Sequence, residues 1–342
     1  MRKGSILVLV LIVLSSLMVL AVGFTYRTRL QIKLAGAYAR QTQAYYLALG
    51  GIERMKALIT RQELSPQVIS EICSFTSSAQ LEGLLEGLNR YGIMENTSLI
   101  YSLRDEQALL NINVSDPASW QNVPFLPAGF SAEILDWIDT DNDTSPEGAE
   151  TDYYSRLNPP YLAKNNKCVL LKEILWLKSA APALYTGEDL NRNGLLDENE
   201  RDGPAHPPSD NQDNILDLGF TDVFTVYGTG KININTAPPI VLAAVPGLDE
   251  GAAELIIAHR LGPDGIPGTD DDIPIANTDD IKKIQGLTDL QIELLQQYCC
   301  FDSQYFRAYS HAELADNFHC SLMATIQYTD NQPNVICLDI LP

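Results

Sequence analysis

The residues best spaced for chemistry lie in one short run, Asp189-Leu-Asn191-Arg-Asn193-Gly194-Leu195-Leu-Asp197-Glu-Asn-Glu200. A hard divalent cation takes about six to eight oxygen donors. Here side-chain oxygens stand at loop positions one, three and five (Asp189, Asn191, Asn193). Gly194 supplies the sharp turn at six, the Leu195 carbonyl is the seventh-position donor, Asp197 stands at nine, and Glu200 closes the sphere at twelve. That is the pattern of the twelve-residue calcium loop. The flanks are not clear helices, so the spacing predicts an isolated calcium loop, with Asp213 and Asp217, and Asp210 before them, near enough to add donors. Two weaker candidates flank it. Asp139, Asp141 and Asp143 alternate and Glu150 follows at the twelfth position, without glycine at the sixth; Asp264, Asp270 and Asp272 lie in a Gly/Asp-rich turn.

These runs belong to three acidic windows, 136–152, 188–217 and 264–280, which hold 22 of the 44 Asp and Glu and only two basic residues, Arg192 and Arg201. Carboxylates crowded in this way repel one another unless a cation sits between them. Enzyme chemistry finds no comparable support. There is no nucleophile elbow and no phosphate-binding glycine loop, and the four histidines have no ligand spacing. The carboxylate pairs sit in polar loops, where nothing raises a pKa as general acid catalysis requires. The expectation is a non-enzymatic protein with no organic cofactor.

These loops need a scaffold, which begins at the N-terminus. Ser5 to Phe24 is twenty residues without a charge, about 30 Å as a helix, the thickness of a bilayer core. Arg2 and Lys3 precede it; Arg27, Arg29 and Lys33 follow. A secretory signal would end in a small-residue exit, and Ala21-Val22-Gly23 is a poor one. A plain anchor would need nothing behind it. Instead an amphipathic stripe continues through Leu30, Leu34, Ala37, Ala44, Ala48, Ile52, Met55 and Ile59, the spacing of one helix face. This favours a prepilin-like leader, residues 1–4, cut between Gly4 and Ser5 ahead of one long helix to about Gln62.

Further on, residues 67–92 read as short helices. Ser98–Leu103 and Ala108–Val114 read as a hairpin, as do Thr221–Tyr227 and Lys231–Asn235. Tyr305–Tyr309, His319–Tyr328 and Val335–Ile340 read as C-terminal strands, with a turn at Asp330-Asn331 and a cross-strand disulfide between Cys320 and Cys337 open to the last two. An internal echo joins Leu110-Asn-Ile-Asn-Val114 to Ile232-Asn-Ile-Asn-Thr236, each followed by helices, and predicts two related helical units of the helix–hairpin–helix or SAM-like kind. The hairpin Pro246-Gly247-Leu248-Asp249-Glu250 puts carboxylates where a phosphate would dock, and the net charge is −21, so no nucleic-acid partner is expected.

The chain resembles the K-type minor pseudopilins of the bacterial type II secretion system, the general secretion pathway protein K family. The resemblance rests on Lys3-Gly4-Ser5, on Gly50-Gly51-Ile52-Glu53 in the long helix, on Asp136-Trp-Ile-Asp139 with Gly148-Ala-Glu150 and Tyr153-Tyr154, and on Lys231-Ile-Asn-Ile-Asn-Thr-Ala-Pro-Pro239. Most type IV pilins and pseudopilins carry Glu at the fifth mature residue; here that residue is Leu9, as in the K-type family. The resemblance implies an α+β fold, with a long N-terminal helix on an antiparallel sheet and a large inserted, mainly helical domain. The expected limits are 25–114 for the pilin-like helix and first strands, 115–300 for the insert, and 301–342 for the closing strands.

It also implies prepilin peptidase cleavage, N-methylation of Ser5, and a single pass through the inner membrane with the bulk in the periplasm. The implied partners are the I- and J-type minor pseudopilins and the major pseudopilin, at a pseudopilus tip. Alternatives are a minor pilin or adhesin of a type IV pilus and, less favoured, a membrane-tethered helix–hairpin–helix DNA receptor.

Overall fold

A computed structural model describes residues 4–61, 98–189, 196, 200–205, 210–266, 269, 271–314 and 318–341. Helix α1 (Gly4–Arg61) runs unbroken for 58 residues, because no proline interrupts it. Its first half exposes apolar side chains such as Leu11, Leu14 and Met18 on every side, and it is long and apolar enough to cross a membrane. In its second half Ala44, Leu47, Ala48, Ile52, Met55 and Ile59 are buried along one helix face. They pack on a four-stranded antiparallel sheet of β1 (Ser98–Asp105), β6 (Tyr305–Leu314), β7 (Phe318–Thr329) and β8 (Gln332–Leu341), in that spatial order. Leu99, Leu103, Phe306, Ala308, Leu322, Ala324 and Ile326 face the helix, alternating along the strands as one buried sheet face requires.

Between β1 and β6 the chain leaves the sheet and builds a second lobe with its own core. Its elements are β2 (Leu110–Asn111), α2 (Pro117–Gln121), α3 (Phe130–Ile138), α4 (Thr151–Tyr154), a 3-10 turn at Leu171–Trp176, α5 (Pro182–Thr186), α6 (Phe220–Val223) and β3 (Phe224–Thr225). They continue with β4 (Ile232–Asn233), α7 (Pro239–Ala244), α8 (Glu250–Arg260), α9 (Thr278–Ile281), α10 (Asp289–Tyr298) and β5 (Cys299–Cys300). Trp120, Phe130, Ile134, Phe220, Phe224, Val241 and Ile256 fill the core.

The internal echo has a physical basis. Asn111 and Asn233 each accept a hydrogen bond from the amide two residues on. Asn113 brackets Cys168 by donating to its carbonyl (2.9 Å) and accepting from its amide (2.7 Å). Asn235 does the same with Ile275 at 2.9 and 2.8 Å. Each Asn-x-Asn run thus closes one helical unit by tying a distant loop with a paired amide grip.

Four expectations are corrected. Ser98–Leu103 forms no hairpin with 108–114: β1 runs on to Asp105 and pairs with β6, while β2 pairs in parallel with β3. The insert therefore starts after Asp105, ahead of the boundary expected at 114, and Leu109, Leu110 and Ile112 pack in its core. The hairpin expected at 221–235 is absent too, since 220–223 is helical and β4 pairs in parallel with β5. Short β-rich runs look alike whether they pair with a sequence neighbour or a distant strand. Finally, Cys320 and Cys337 are not bridged. Cys320 lies opposite Ala312 on the face under α1, whereas Cys337 lies opposite Thr325 on the other face. Residues 67–92 lie outside the described residues.

Gly51 marks the closest approach of helix to sheet: a Cβ there would fall 2.2 Å from Ser310 Oγ, while one at Gly50 would meet nothing within 4 Å. Gly51→Val is expected to destabilise the fold by about 1–3 kcal/mol through overpacking. Gly50→Ala is expected to stabilise it by up to about 1 kcal/mol through helix propensity. Urea denaturation of the two variants checks this.

Candidate metal centre

The C-terminal end of α3 and the N-terminal end of α4 meet at three carboxylates. Asp136 and Asp139 stand one turn apart on α3 and at its C-cap; Glu150 is the N-cap of α4. Their oxygens lie within 4.8 Å of one another. Oxygens around a calcium ion at about 2.3–2.6 Å span about 5 Å at most, so the trio has the right aperture. Asp136 is fully buried and Glu150 is 1% exposed. Gly148 makes the approach feasible, because a Cβ there would fall 2.0 Å from Asp136 Oδ2.

Backbone donors account for part of this charge. Ser145 N donates to both Asp136 oxygens at 3.3 and 3.1 Å, and Thr151 N donates to Glu150 Oε2 at 3.2 Å. Glu150 Oε1 is buried with no protein partner. Burial, followed by the charge of the neighbouring carboxylates, raises the pKa of both Asp139 and Glu150. A buried acceptor without a donor, in a cluster of like charges, fits a cation. Asp141 and Asp143 remain outside the cluster, each in the chain of turns Asp141 N→Asp139 and Asp143 N→Asp141. Asp136, which spacing alone did not single out as a ligand, completes the trio. The signal for it was a second acid on α3, one helical turn before Asp139.

Of the calcium loop predicted at 189–200, Asn191, Asn193, Leu195 and Asp197 lie outside the described residues. Its ends, Asp189 and Glu200, are both buried despite their charge. Asp217 is drawn alongside: Glu188, buried next to Asp189, accepts from the amides of Asn211 (3.0 Å) and Asp217 (3.1 Å). Asp213 caps the Ile215 amide in the exposed loop. In the third window Asp264 caps the Ile266 amide, and Asp271 accepts from Asp264 N and Thr269 Oγ1. Asp272 lies within charge range of the half-buried Arg260, and Asp270 lies outside the described residues. Among the described residues, only the 136–150 window brings three carboxylates to one point. His259, on α8, is held below its usual pKa by burial.

Comparison with known proteins places these features. Residues 118–187 match the family model described as type II secretion system protein K. The match covers the carboxylate trio and ends just before Asp189. A type II secretion system protein K of Klebsiella pneumoniae is 26% identical over 202 residues, covering 54% of this chain and 60% of that protein. The crystal structure of the GspK–GspI–GspJ complex from the enterotoxigenic Escherichia coli type 2 secretion system contains a chain of similar fold. It has a TM-score of 0.56 at 15% identity, with 92% of this chain and 99% of that one covered.

The trio sets a sign for pH dependence. Carboxylates whose folded pKa is raised favour folding while protonated, and that contribution is lost as pH climbs past their ordinary values of 3.8 and 4.5 and through the raised ones. In chelator, Glu150→Gln should therefore melt with the parent near pH 4 and above it at pH 7. With Ca²⁺ as probe at about 100 times its Kd the parent gains about 2.7 kcal/mol and the variant loses that gain. Thermal melts with and without Ca²⁺ check the crossing.

Proposed function

We propose that this chain is a K-type pseudopilin of the type II secretion system, as its similarities support, and acts as a non-enzymatic minor pseudopilin at the tip of the pseudopilus. There it nucleates filament assembly and aids protein export across the outer membrane. The observation that carries the reading is the splice: a complete pilin-like helix and sheet, with about two thirds of the chain's described globular part inserted between β1 and β6. A filament subunit must repeat its neighbours' contacts on both ends. A lobe of this size suits a subunit that begins a filament. Leu9 supports the same reading, since it leaves no carboxylate to pair with the terminal amine of a subunit above.

In this reading α1 anchors the chain in the inner membrane by a single pass, with the bulk of the chain in the periplasm. A prepilin peptidase cuts between Gly4 and Ser5, and Ser5 is N-methylated. The exposed apolar half of α1 then leaves the bilayer to pack among like helices: the major pseudopilin below and I- and J-type minor pseudopilins beside it. The chain of similar fold was solved in a complex with GspI and GspJ, which supports the minor partners. Calcium is held by Asp136, Asp139 and Glu150, and by the loop between Asp189 and Glu200. It neutralises carboxylates and orders loops whose fixing costs entropy.

Intact-mass measurement after co-expression with a prepilin peptidase and I- and J-type subunits tests this. The expected chain begins at a methylated Ser5 and elutes with both subunits. An intact Met1, cleavage near Gly23, or elution of the processed chain alone would contradict it.

A further inference from the structure

Within a strongly acidic chain, one stretch of the inserted lobe carries the opposite charge. Residues 153–178 contain five basic side chains, Arg156, Lys164, Lys167, Lys172 and Lys178, against one acid, Glu173. The rest of the molecule is therefore more negative than the net −21. The same stretch exposes apolar surface. Leu162 is 66% exposed, Val169 69%, Trp176 52%, Leu170 46% and Tyr153 37%.

The aromatic groups of this stretch are packed together. Tyr154, fully buried, stacks on Tyr161 at 5.1 Å, and Tyr161 meets Trp176 edge-on at 5.1 Å while its hydroxyl donates to the Trp176 carbonyl at 2.7 Å. Tyr153 meets Tyr154 edge-on at 5.3 Å, and Lys178 Nζ lies over the Tyr153 ring at 5.5 Å. At the other end, Glu173 accepts from the amides of Val169 and Leu170 and pairs with Lys164, which fixes the aliphatic corner. The aromatic rings are thus held from below by the core; Lys178 lies over Tyr153 and Lys172 is exposed in the turn that carries Trp176, while Arg156 and Lys164 are paired with Asp152 and Glu173.

Rigid aromatic and aliphatic groups at the centre with charge at the rim is the anatomy of a protein-docking surface. We infer that this patch docks a folded protein that presents an apolar centre with an acidic rim. It goes beyond assembly through α1, since it lies on the lobe whose core is separate from that under the helix. Charge selects the partner: the basic rim attracts carboxylates. The surrounding excess of negative charge repels a long polyanion that would run off the patch. Leu162, Val169 and Leu170 offer contacts to apolar side chains that a nucleic acid or anionic polysaccharide lacks.

Trp176 reports directly, because Trp120 and Trp137 are 1% and 6% exposed. The probe is a helical peptide with a leucine stripe flanked by glutamates, compared with its lysine-flanked version, poly-L-glutamate and heparin, each added to the full chain in detergent. The expected result is that the glutamate-flanked peptide shields Trp176 from acrylamide, and that raising the salt weakens binding several-fold. The exposed double substitution Lys172→Glu with Lys178→Glu should weaken binding at least about tenfold while circular dichroism stays unchanged. No shielding by that peptide, or equal binding of the lysine-flanked version, would overturn the proposal. Tighter binding of poly-L-glutamate or heparin would also overturn it, in favour of a polyanion site.

Discussion

The two lobes are held together by a buried ion pair. Arg307, near the start of β6, donates through Nε to Glu106, the first residue after β1, and through Nη1 to the Thr221 carbonyl at 3.0 Å. The Glu106 and Arg307 side chains are 1% and 10% exposed, and Thr225 donates its hydroxyl to the remaining Glu106 oxygen. Beside them Asp105 accepts from Ser303 Oγ (2.6 Å), Asn233 Nδ2 (3.0 Å), Gln107 N (2.8 Å) and the Thr236 hydroxyl. Burial still pushes its pKa up to about 6. Such a pair is a poor source of net stability but is costly to break, because the survivor is left buried and unpaired. Its effect is to fix geometry. The strand that leaves the sheet, the strand that returns, and α6, β3 and β4 of the insert all meet at one polar knot.

That geometry connects the membrane end of the molecule to its chemistry. Helix α1 lies on the sheet through small residues, Ala44, Ala48 and Gly51, that let the backbones approach closely. The knot passes this orientation to the lobe. Within the lobe, paired asparagine grips close each helical unit and so bring α3 and α4 together at Asp136, Asp139 and Glu150. A cation there would satisfy the buried Glu150 oxygen that the protein leaves without a donor. The carboxylate trio and the knot manage buried carboxylates in opposite ways. The knot supplies Arg307 and a set of hydroxyl and amide donors; the trio has only backbone amides from its own loop.

Much of this was legible in the sequence. The long helix could be read from an uncharged run followed by a three-to-four stripe, and it runs through the last described residue before 62. The last three strands and the Asp330-Asn331 turn followed from β-branched and aromatic alternation. What failed was pairing. Two-residue strands such as β2 and β4 carry no periodicity of their own, and their partners lie more than sixty residues away. Their Asn-x-Asn runs were visible as an echo, but the grip on Cys168 and Ile275 depends on loops brought back by the fold. Asp136 was visible only as part of a family pattern, because its place in the trio has no spacing signature until Glu150 is folded against it. The knot was invisible for the same reason: Glu106 and Arg307 are two hundred residues apart.

The central claim is that this knot makes helix, sheet and insert one mechanical body. Urea unfolding of Arg307→Met measures it most directly. The substitution is expected to cost about 3–5 kcal/mol through the stranded Glu106 charge. The single transition of the parent should split, with the insert and the sheet melting apart. A variant that unfolds at the parent midpoint in one step would contradict it, as would a parent whose lobes already unfold separately.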